Sequence, residues 1–340
     1  MKAMLVDEKK SLVWTDVPDP EPKSNEILID IHAVALNRAD LMQRSGDYPS
    51  PPGWPPWMGL EVAGMVSKAP AGCRWKPGDK VCALLGGGGY AEKVAVPADM
   101  ALPVPQGLSM AEAAAIPEAF ATSYLNLCIE GGMKAGDTVF IPAGASGLGM
   151  AAIQLAKALG AKVVTTVGSE EKANFVRELG ADVIINRKKE TIAQVLAQHP
   201  VDIAMDCVAG ADLGACLGTM ARGGRWIVIA TLGGPMSELN MTDLFKRGIR
   251  IIGSTLRSRT AEMKANILSE LETKLWGKFS SGEFKSIVHM TLPMTRAEEA
   301  HGVLEKQRNL GKVVLTLKGG EYKSPSPGYG LCGGEKRIRE

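Results

Sequence analysis

The chain has 340 residues, 45% of them hydrophobic and 22% charged, which is typical of folded globular proteins and excludes a disordered or fibrous class. Lysine and arginine number 39 against 37 for aspartate and glutamate, and no basic run is interleaved with aromatic side chains. Nucleic acid is therefore not expected as a main partner, because binding to a phosphate backbone depends on clustered positive charge. A chain of this length usually divides into two domains around separate cores.

The N-terminal stretch MKAMLVDEKKSLVW lacks the apolar core of a secretory signal, and no segment has the roughly 18 uninterrupted apolar residues of a membrane span. The 6 cysteines are scattered without a C-x-x-C pair, so their spacing indicates neither a disulfide framework nor a zinc cage. We therefore expect a cytoplasmic protein with reduced thiols and no membrane partner.

The first part of the chain, up to about Pro105, consists of short β-type runs such as EILIDIHAVAL and GLEVAGMVSKA, separated by Pro and Gly clusters. This pattern predicts an irregular all-β unit. From LSMAEAAAIPEAF onward, helical patterns alternate with apolar strands. The strands are DTVFIPA, AKVVTTVG, ADVIIN, VDIAMDCV, GGRWIVIA and IRIIGSTL, with helices expected from Gly147, Glu170 and Thr191. The alternation predicts a parallel, doubly wound sheet with right-handed crossovers.

The last of these strands, IRIIGSTL, is apolar and is expected at the sheet edge, where it could pair with a second copy of the chain in a homodimer or homotetramer. The later segment SIVHMTLPMTRAEEAHGVLEKQRNLGKVVLTL is expected to return to the first domain. The fold class is thus α/β, with residues 1–118 and 261–317 forming a β-rich domain and 119–260 a doubly wound domain. Residues 318–340, rich in Gly, Pro, Ser and charge, are expected to be a disordered tail or to dock on a neighbouring subunit.

A glycine loop follows the strand TVFIPA and leads directly into a helix, with Gly144, Gly147 and Gly149 around Ser146. The free N–H groups and positive dipole at the start of such a helix suit a pyrophosphate. Glycines alone are a weak signal, because tight strand-to-helix turns require them anyway. The surrounding strand and helix alternation supports a dinucleotide cofactor.

The choice between NAD and NADP depends on the end of the next strand, where NAD sites place an acid about 20 residues past the glycines. This place reads TTVGSEEK, with Gly168 and Ser169 where the acid would stand. Lys172 and Arg187 follow and could meet a 2′-phosphate, which favours NADP. Lys172 could equally belong to a solvated helix face, whereas the planar guanidinium of Arg187 suits a phosphate better.

These motifs resemble the medium-chain dehydrogenase/reductase superfamily and, within it, the zinc-independent quinone oxidoreductases related to zeta-crystallin. The resemblance spans roughly Met1 to Leu317, and NRADLMQR, IPEAF and STLRSR are similar to the tumour-suppressor-inducible quinone oxidoreductase subgroup. Its other carriers are GLEVAGMV, KPGDKVCALLGGGGYAEKVAVP, AGASGLGMAAIQLAK and NLGKVVL. The resemblance implies a GroES-like catalytic domain, a Rossmann domain, NADPH, and reduction of a small-molecule quinone or enone.

Catalytic zinc is not expected, because Asn37 and Leu60 occupy the places of the cysteine and histidine ligands found in the zinc alcohol dehydrogenases of this superfamily. The resemblance implies that Asn37 and Tyr48 line the substrate cleft and that Ser146 lies near the nicotinamide. Asn37 could donate an amide N–H, and Tyr48 a phenolic O–H, to a developing oxyanion. Alternatively, Asn37 serves a turn, Tyr48 packs in a proline-rich loop, and Ser146 only fills the glycine turn.

Three functions remain open from the sequence. The first is NADPH-dependent reduction of quinones or other conjugated carbonyl compounds. The second is enoyl-thioester reduction on an acyl-CoA or acyl-carrier substrate, for which Arg257 and Arg259 in LRSR are a thin hint of a basic rim. The third is a non-catalytic NADPH-binding sensor, because a fold does not determine a function.

Overall fold

The computed structural model describes residues 1–317, and the tail predicted from Lys318 onward lies outside the described residues. The strands are β1 Lys2–Val6, β2 Leu12–Asp16, β3 Glu26–Ala35, β4 Glu61–Lys68, β5 Lys80–Leu84, β6 Lys93–Pro97, β7 Ala101–Pro103, β8 Thr138–Ile141, β9 Lys162–Val167, β10 Val183–Asn186, β11 Val201–Asp206, β12 Met220–Val228, β13 Arg250–Gly253, β14 Val288–Pro293 and β15 Lys312–Thr316. The α-helices are α1 Arg38–Ser45, α2 Met110–Ala114, α3 Pro117–Tyr124, α4 Gly147–Ala158, α5 Glu170–Glu178, α6 Ile192–Gln198, α7 Gly210–Leu217, α8 Met241–Arg247, α9 Ala261–Ser280 and α10 Ala297–Glu305.

The β-rich part is built on a sheet of seven strands, ordered β14, β15, β3, β4, β5 and β7, with β6 also paired to β3. Strand β15 runs antiparallel to β3, with Val314 opposite Ala35, so the C-terminal segment adds to this sheet. The expectation of an all-β unit was wrong at one place, since α1 follows β3 directly. Helix α1 forms there because the Asp40 carboxylate accepts the backbone N–H of Asn37 at 2.7 Å, which fixes the first turn.

The doubly wound part contains a sheet of six strands in the order β10, β9, β8, β11, β12 and β13. All five pairings are parallel, which confirms the predicted fold class. The order reverses between β8 and β11, and a crevice outside the strand ends is expected there. Strand β13 is an edge strand, as the sequence indicated.

One apolar core runs from the β-rich sheet to one face of the parallel sheet, and a second, smaller core fills the other face. Phe120 on α3 contacts Phe279 on α9 edge to face at a centroid distance of 4.9 Å. These two helices begin beside the proposed domain boundaries at residues 118 and 261, which remain predictions. Within residues 1–317, none of the helices is both long and apolar enough to cross a membrane.

Candidate active site

The glycine loop after β8 is packed so closely that side chains do not fit. A Cβ added to Gly144 would lie 2.1 Å from Thr165 Oγ1, and one added to Gly149 would lie 2.6 Å from the carbonyl oxygen of Ala143. Ser146 caps α4, because its Oγ accepts the N–H of Gly149 at 3.0 Å. Ser146 thus caps the N-terminus of α4, where the free N–H groups suit a pyrophosphate.

Lys312 connects this loop to the β-rich sheet. A Cβ added to Gly147 would lie 2.3 Å from Lys312 Cδ, so glycine is required at residue 147 for the lysine side chain to pass. The neighbouring Gly311 donates its N–H to the carbonyl oxygen of Ala145 at 2.9 Å. The start of β15 thus lies directly against the cofactor loop.

The ammonium group of Lys312 lies in a buried polar cluster with Asn37 and Glu61. Lys312, which is 3% exposed, lies 2.5 Å from Oε1 of the fully buried Glu61. Its Nζ also donates to Asn37 Oδ1 at 2.7 Å, while Asn37 Nδ2 donates to Glu61 Oε1 at 3.0 Å and contacts the Ala35 carbonyl oxygen at 3.4 Å. The Asn37 amide is therefore held in place by protein partners at both its oxygen and its nitrogen.

Tyr48 lies over a buried arginine. The Arg257 guanidinium carbon lies 4.8 Å from the centre of the Tyr48 ring, and Arg257 Nη1 donates to the Tyr48 carbonyl oxygen at 2.9 Å. Burial raises the pKa of the Tyr48 phenol, which therefore stays protonated at neutral pH. Within residues 1–317, the phenolic oxygen makes no hydrogen bond with protein, so Tyr48 is available as a donor.

The idea of a basic rim from LRSR was wrong. Arg257 is only 6% exposed, and its guanidinium also donates to the Gly86 carbonyl oxygen at 2.8 Å and to Gln43 Oε1 at 2.7 Å. Arg259 donates to Glu130 Oε1 at 2.6 Å. Burial of a guanidinium requires such partners, so Arg257 has a structural role between two loops and Arg259 is already paired.

Glu118, in the first turn of α3, is a site residue that the sequence analysis missed. Its backbone N–H donates to Glu61 Oε2 at 2.9 Å, and Thr122 Oγ1 donates to its Oε1 at 3.3 Å. Burial and the nearby negative charge of Glu61 raise the pKa of Glu118 to about 7. The motif IPEAF contains this residue, but nothing in the sequence pattern shows that it meets Glu61.

A cavity of about 510 Å³ opens along the carboxyl ends of β12 and β13. Its lining includes Ile229, Thr231, Ser254, Ser258 and Arg259. The glycine loop lies at the carboxyl end of β8, on the same edge of the parallel sheet as this cavity, with β11 between β8 and β12.

The expected 2′-phosphate readers come together at the end of β9. Lys172 Nζ donates to the Gln307 carbonyl oxygen at 2.7 Å, and Arg187 Nη2 donates to Gln307 Oε1 at 3.3 Å. Burial and the positive charge of Arg187 lower the pKa of Lys172. An added Cβ at Gly168 would lie 3.5 Å from Arg187, and Ser169 Oγ accepts the Lys172 N–H at 3.3 Å. Neither cation forms an ion pair with a carboxylate among residues 1–317, so both charges are available to an anion.

Gln307, the neutral partner of both cations, was also missed by the sequence analysis. It follows α10 with a φ of +51° and reaches the end of β9 only because the C-terminal segment returns to the first sheet.

As for metals, residues 1–317 contain no group of three or more His, Cys, Asp or Glu side chains placed to hold an ion. Leu60, at one place where a zinc ligand would stand, is buried in the apolar core.

Comparisons with known proteins agree with this arrangement. The alcohol dehydrogenase GroES-like domain matches residues 23–106, and the zinc-binding dehydrogenase family model matches residues 147–273. The quinone oxidoreductase of Sus scrofa is 31% identical over 89% of this chain and 92% of its own length.

Solved structures give the same result. The quinone oxidoreductase from Thermus thermophilus, also solved in complex with NADPH, is 32% identical, covers 93% of this chain and 100% of its own, and superposes with a TM-score of 0.77. The JamJ enoyl reductase covers 93% of this chain and 99% of its own with a TM-score of 0.81, but at 24% identity it is similar in fold alone. The chain therefore belongs to the zinc-independent quinone oxidoreductases of the medium-chain dehydrogenase/reductase superfamily.

Proposed function

We propose that this protein is an NADPH-dependent reductase of quinones or other conjugated carbonyl compounds and works without zinc. The observation that carries the cofactor assignment is the pair of cations at the end of β9. Lys172 and Arg187 share the neutral Gln307, and the pKa of Lys172 is lowered by burial and by Arg187. A 2′-phosphate would relieve that repulsion, whereas the 2′-hydroxyl of NAD would not.

The residues present fit the cofactor, since the glycine loop has no room for side chains and ends in a helix N-terminus. NADPH, when bound, supplies a hydride. The N–H groups at the start of α4 would hold its pyrophosphate. Gly168 and Ser169 leave the end of β9 without the acid that would repel a 2′-phosphate, so Lys172 and Arg187 can bind it.

On the acceptor side, Tyr48 is the neutral donor that the structure leaves available. Asn37, fixed by Lys312 and Glu61, would shape the wall of the cleft instead of donating to the acceptor. One neutral donor stabilises developing negative charge less than a metal ion does. The acceptor must therefore be electrophilic already, which favours conjugated quinones and enones over simple ketones.

The test is oxidation of NADPH and of NADH with small quinones, enones, simple ketones and acyl-CoA thioesters. We expect turnover with quinones or enones, a preference for NADPH, and no turnover with simple ketones. Turnover restricted to enoyl-CoA would replace quinone reduction by the enoyl-thioester alternative, which the buried Arg257 makes less favourable. Tight NADPH binding without any turnover would indicate the sensor. The variant that tests the cofactor assignment is Arg187→Ala, which should lose the preference for NADPH and keep the rate with NADH.

We also propose a cytoplasmic homodimer or homotetramer. The edge strand β13 offers unpaired backbone groups, and apolar side chains cluster in sequence around it. Met236 is 80% exposed and Phe245 67% exposed, with Leu232, Met241 and Ile251 also exposed. An apolar surface beside an open strand edge is suited to pairing with a second copy across a two-fold axis.

A further inference from the structure

Six charged side chains meet where the two sheets adjoin, around Asn37 and Tyr48. The cluster contains three cationic and three acidic side chains, so it has no net charge when all six are ionised. The cations are Arg257, Lys264 and Lys312, and the carboxylates are Asp40, Glu61 and Glu118.

Glu118 is the one carboxylate of the cluster that its protein partners leave incomplete. Asp40 accepts the N–H groups of Asn37 at 2.7 Å and Gly59 at 3.0 Å, and Glu61 accepts from Asn37, Lys312 and the Glu118 backbone. Glu118 accepts only from Thr122, through Oε1. No residue in the described part of the chain hydrogen-bonds its Oε2, and the side chain is not fully buried.

The groups that act on the Glu118 carboxyl come from β4, β15, α9 and its own helix. Glu61 on β4 and burial favour the protonated carboxyl, while Lys312 on β15, Lys264 on α9 and the Thr122 hydroxyl on its own helix oppose them. Tyr48 and Arg257, from two loops, also feel its charge. The balance favours protonation, and the pKa of Glu118 is about 7.

We propose that protonated Glu118 is the acid of the cleft and gives its Oε2 proton to the oxygen of the reduced acceptor. The inference rests on the proposed function, in which the hydride and its two electrons come from NADPH. The O–H bond of Glu118 breaks, an O–H bond on the acceptor forms, and the carboxylate then takes a proton from water. With Glu118 protonated the cluster carries one net positive charge, which favours the negative charge that develops on the acceptor.

A role in stabilising the N-terminus of α3 would favour the ionised state of Glu118. A carboxylate in the first turn of a helix is stabilised in its ionised form by the helix dipole. Here burial and Glu61 outweigh that effect. The position is therefore unfavourable for an ionised capping residue and suitable for one that holds a proton.

The first test needs neither cofactor nor substrate. Because folding raises the pKa of Glu118 from its ordinary 4.5 to about 7, the stability that this gives is full below pH 4.5 and lost as the pH rises through 7. The Glu118→Gln variant does not lose stability in this way, because glutamine does not ionise. Its melting temperature should exceed that of the wild type by a few degrees near pH 8.5, and the difference should fall toward zero or change sign near pH 5.5. The matched control, Glu262→Gln, changes an exposed acid at the same second position of α9 and should show no pH-dependent difference.

The second test is the pH profile of quinone reduction under saturating NADPH. Wild-type turnover should fall as the pH rises through about 7. Glu118→Gln keeps the shape of the side chain but has no proton to give, so turnover should drop about 100-fold and lose this pH dependence. The Glu262→Gln profile should match the wild type.

The outcomes separate the two proposals. If Glu118→Gln has the same turnover and the same pH profile as the wild type, the acid role is overturned and the proposed function stays intact. A melting temperature difference that does not vary with pH would also overturn it, since Glu118 would not be held protonated. Absence of wild-type turnover with every acceptor would overturn the proposed function and the acid role with it.

Discussion

Replacing Lys312 by methionine should destabilise the protein far more than loss of an ordinary ion pair. Methionine keeps the alkyl chain that passes over Gly147 but removes the ammonium that lies 2.5 Å from Glu61 Oε1. Glu61 is fully buried and would be left with an uncompensated charge. Breaking a buried pair from one side costs about 3–5 kcal/mol, whereas exposed pairs are worth about 0–1 kcal/mol.

The interaction energy between Lys312 and Glu61 can be isolated with a double-mutant cycle. Glu61→Gln removes the buried negative charge and keeps one oxygen, which can accept from either the Asn37 amide or the Glu118 backbone N–H. Lys312→Met/Glu61→Gln should therefore recover part of the loss. We expect a coupling energy of at least about 2 kcal/mol. The control is Lys274→Met, which breaks an exposed pair with Glu270 on α9 and should change stability by about 0.5 kcal/mol or less.

The assay is urea denaturation followed by circular dichroism and tryptophan fluorescence, at low and high salt. The Lys312→Met effect should persist in high salt, because buried charges are poorly screened. A cost below about 1 kcal/mol, or a double variant as unstable as the sum of the two single variants, would refute the argument that the pair is buried and coupled.

Four further results are expected. Arg187→Ala should weaken NADPH binding about 10- to 100-fold and leave NADH binding nearly unchanged, since a charge-assisted hydrogen bond is worth about 1.5–3 kcal/mol. Titration calorimetry measures both affinities, and equal weakening of both would exclude contact of Arg187 with the 2′-phosphate. Tyr48→Phe should lower quinone turnover and leave the melting temperature unchanged. Asn37→Ala should lower the melting temperature because it removes two hydrogen bonds of the buried cluster, with Glu61 and Lys312; the reverse pattern would contradict the contacts of Asn37. Phe245→Glu should convert the proposed dimer to a monomer in light scattering, and an unchanged mass would contradict an interface at this apolar surface. Purified protein should hold no stoichiometric zinc by elemental analysis and keep its activity after treatment with a chelator.

The sequence predicts the elements whose signal is local. Alternating strands and helices identify the parallel sheet, and the glycine triplet identifies the turn before α4. Helix α1 was missed because it is short and begins directly after β3 in a Pro- and Gly-rich region. Its decisive contact, from Asn37 to Asp40, is between a backbone N–H and a side chain, which hydrophobic periodicity does not report.

The candidate site was predictable only in part for the same reason. The turn role of Ser146 and the grouping of Lys172 with Arg187 follow from spacing around a strand end. The partners of Asn37 lie at residues 61 and 312, and the partner of Lys172 lies at residue 307, so each depends on the return of the C-terminal segment to the first sheet. Arg257 shows the converse, because a charged residue in a polar motif is expected on the surface yet is buried between two loops.

The contact of Gly311 and Lys312 with the glycine loop has a consequence for the order of biosynthesis. The parallel sheet is complete in sequence by Gly253, but its cofactor loop receives the N–H of Gly311 and the side chain of Lys312 only after almost sixty further residues have been translated. A nascent or truncated chain that ends before residue 311 can form that sheet and still lack the bracing of its loop. We therefore expect cofactor affinity to arise only after β15 has joined the sheet that contains β3.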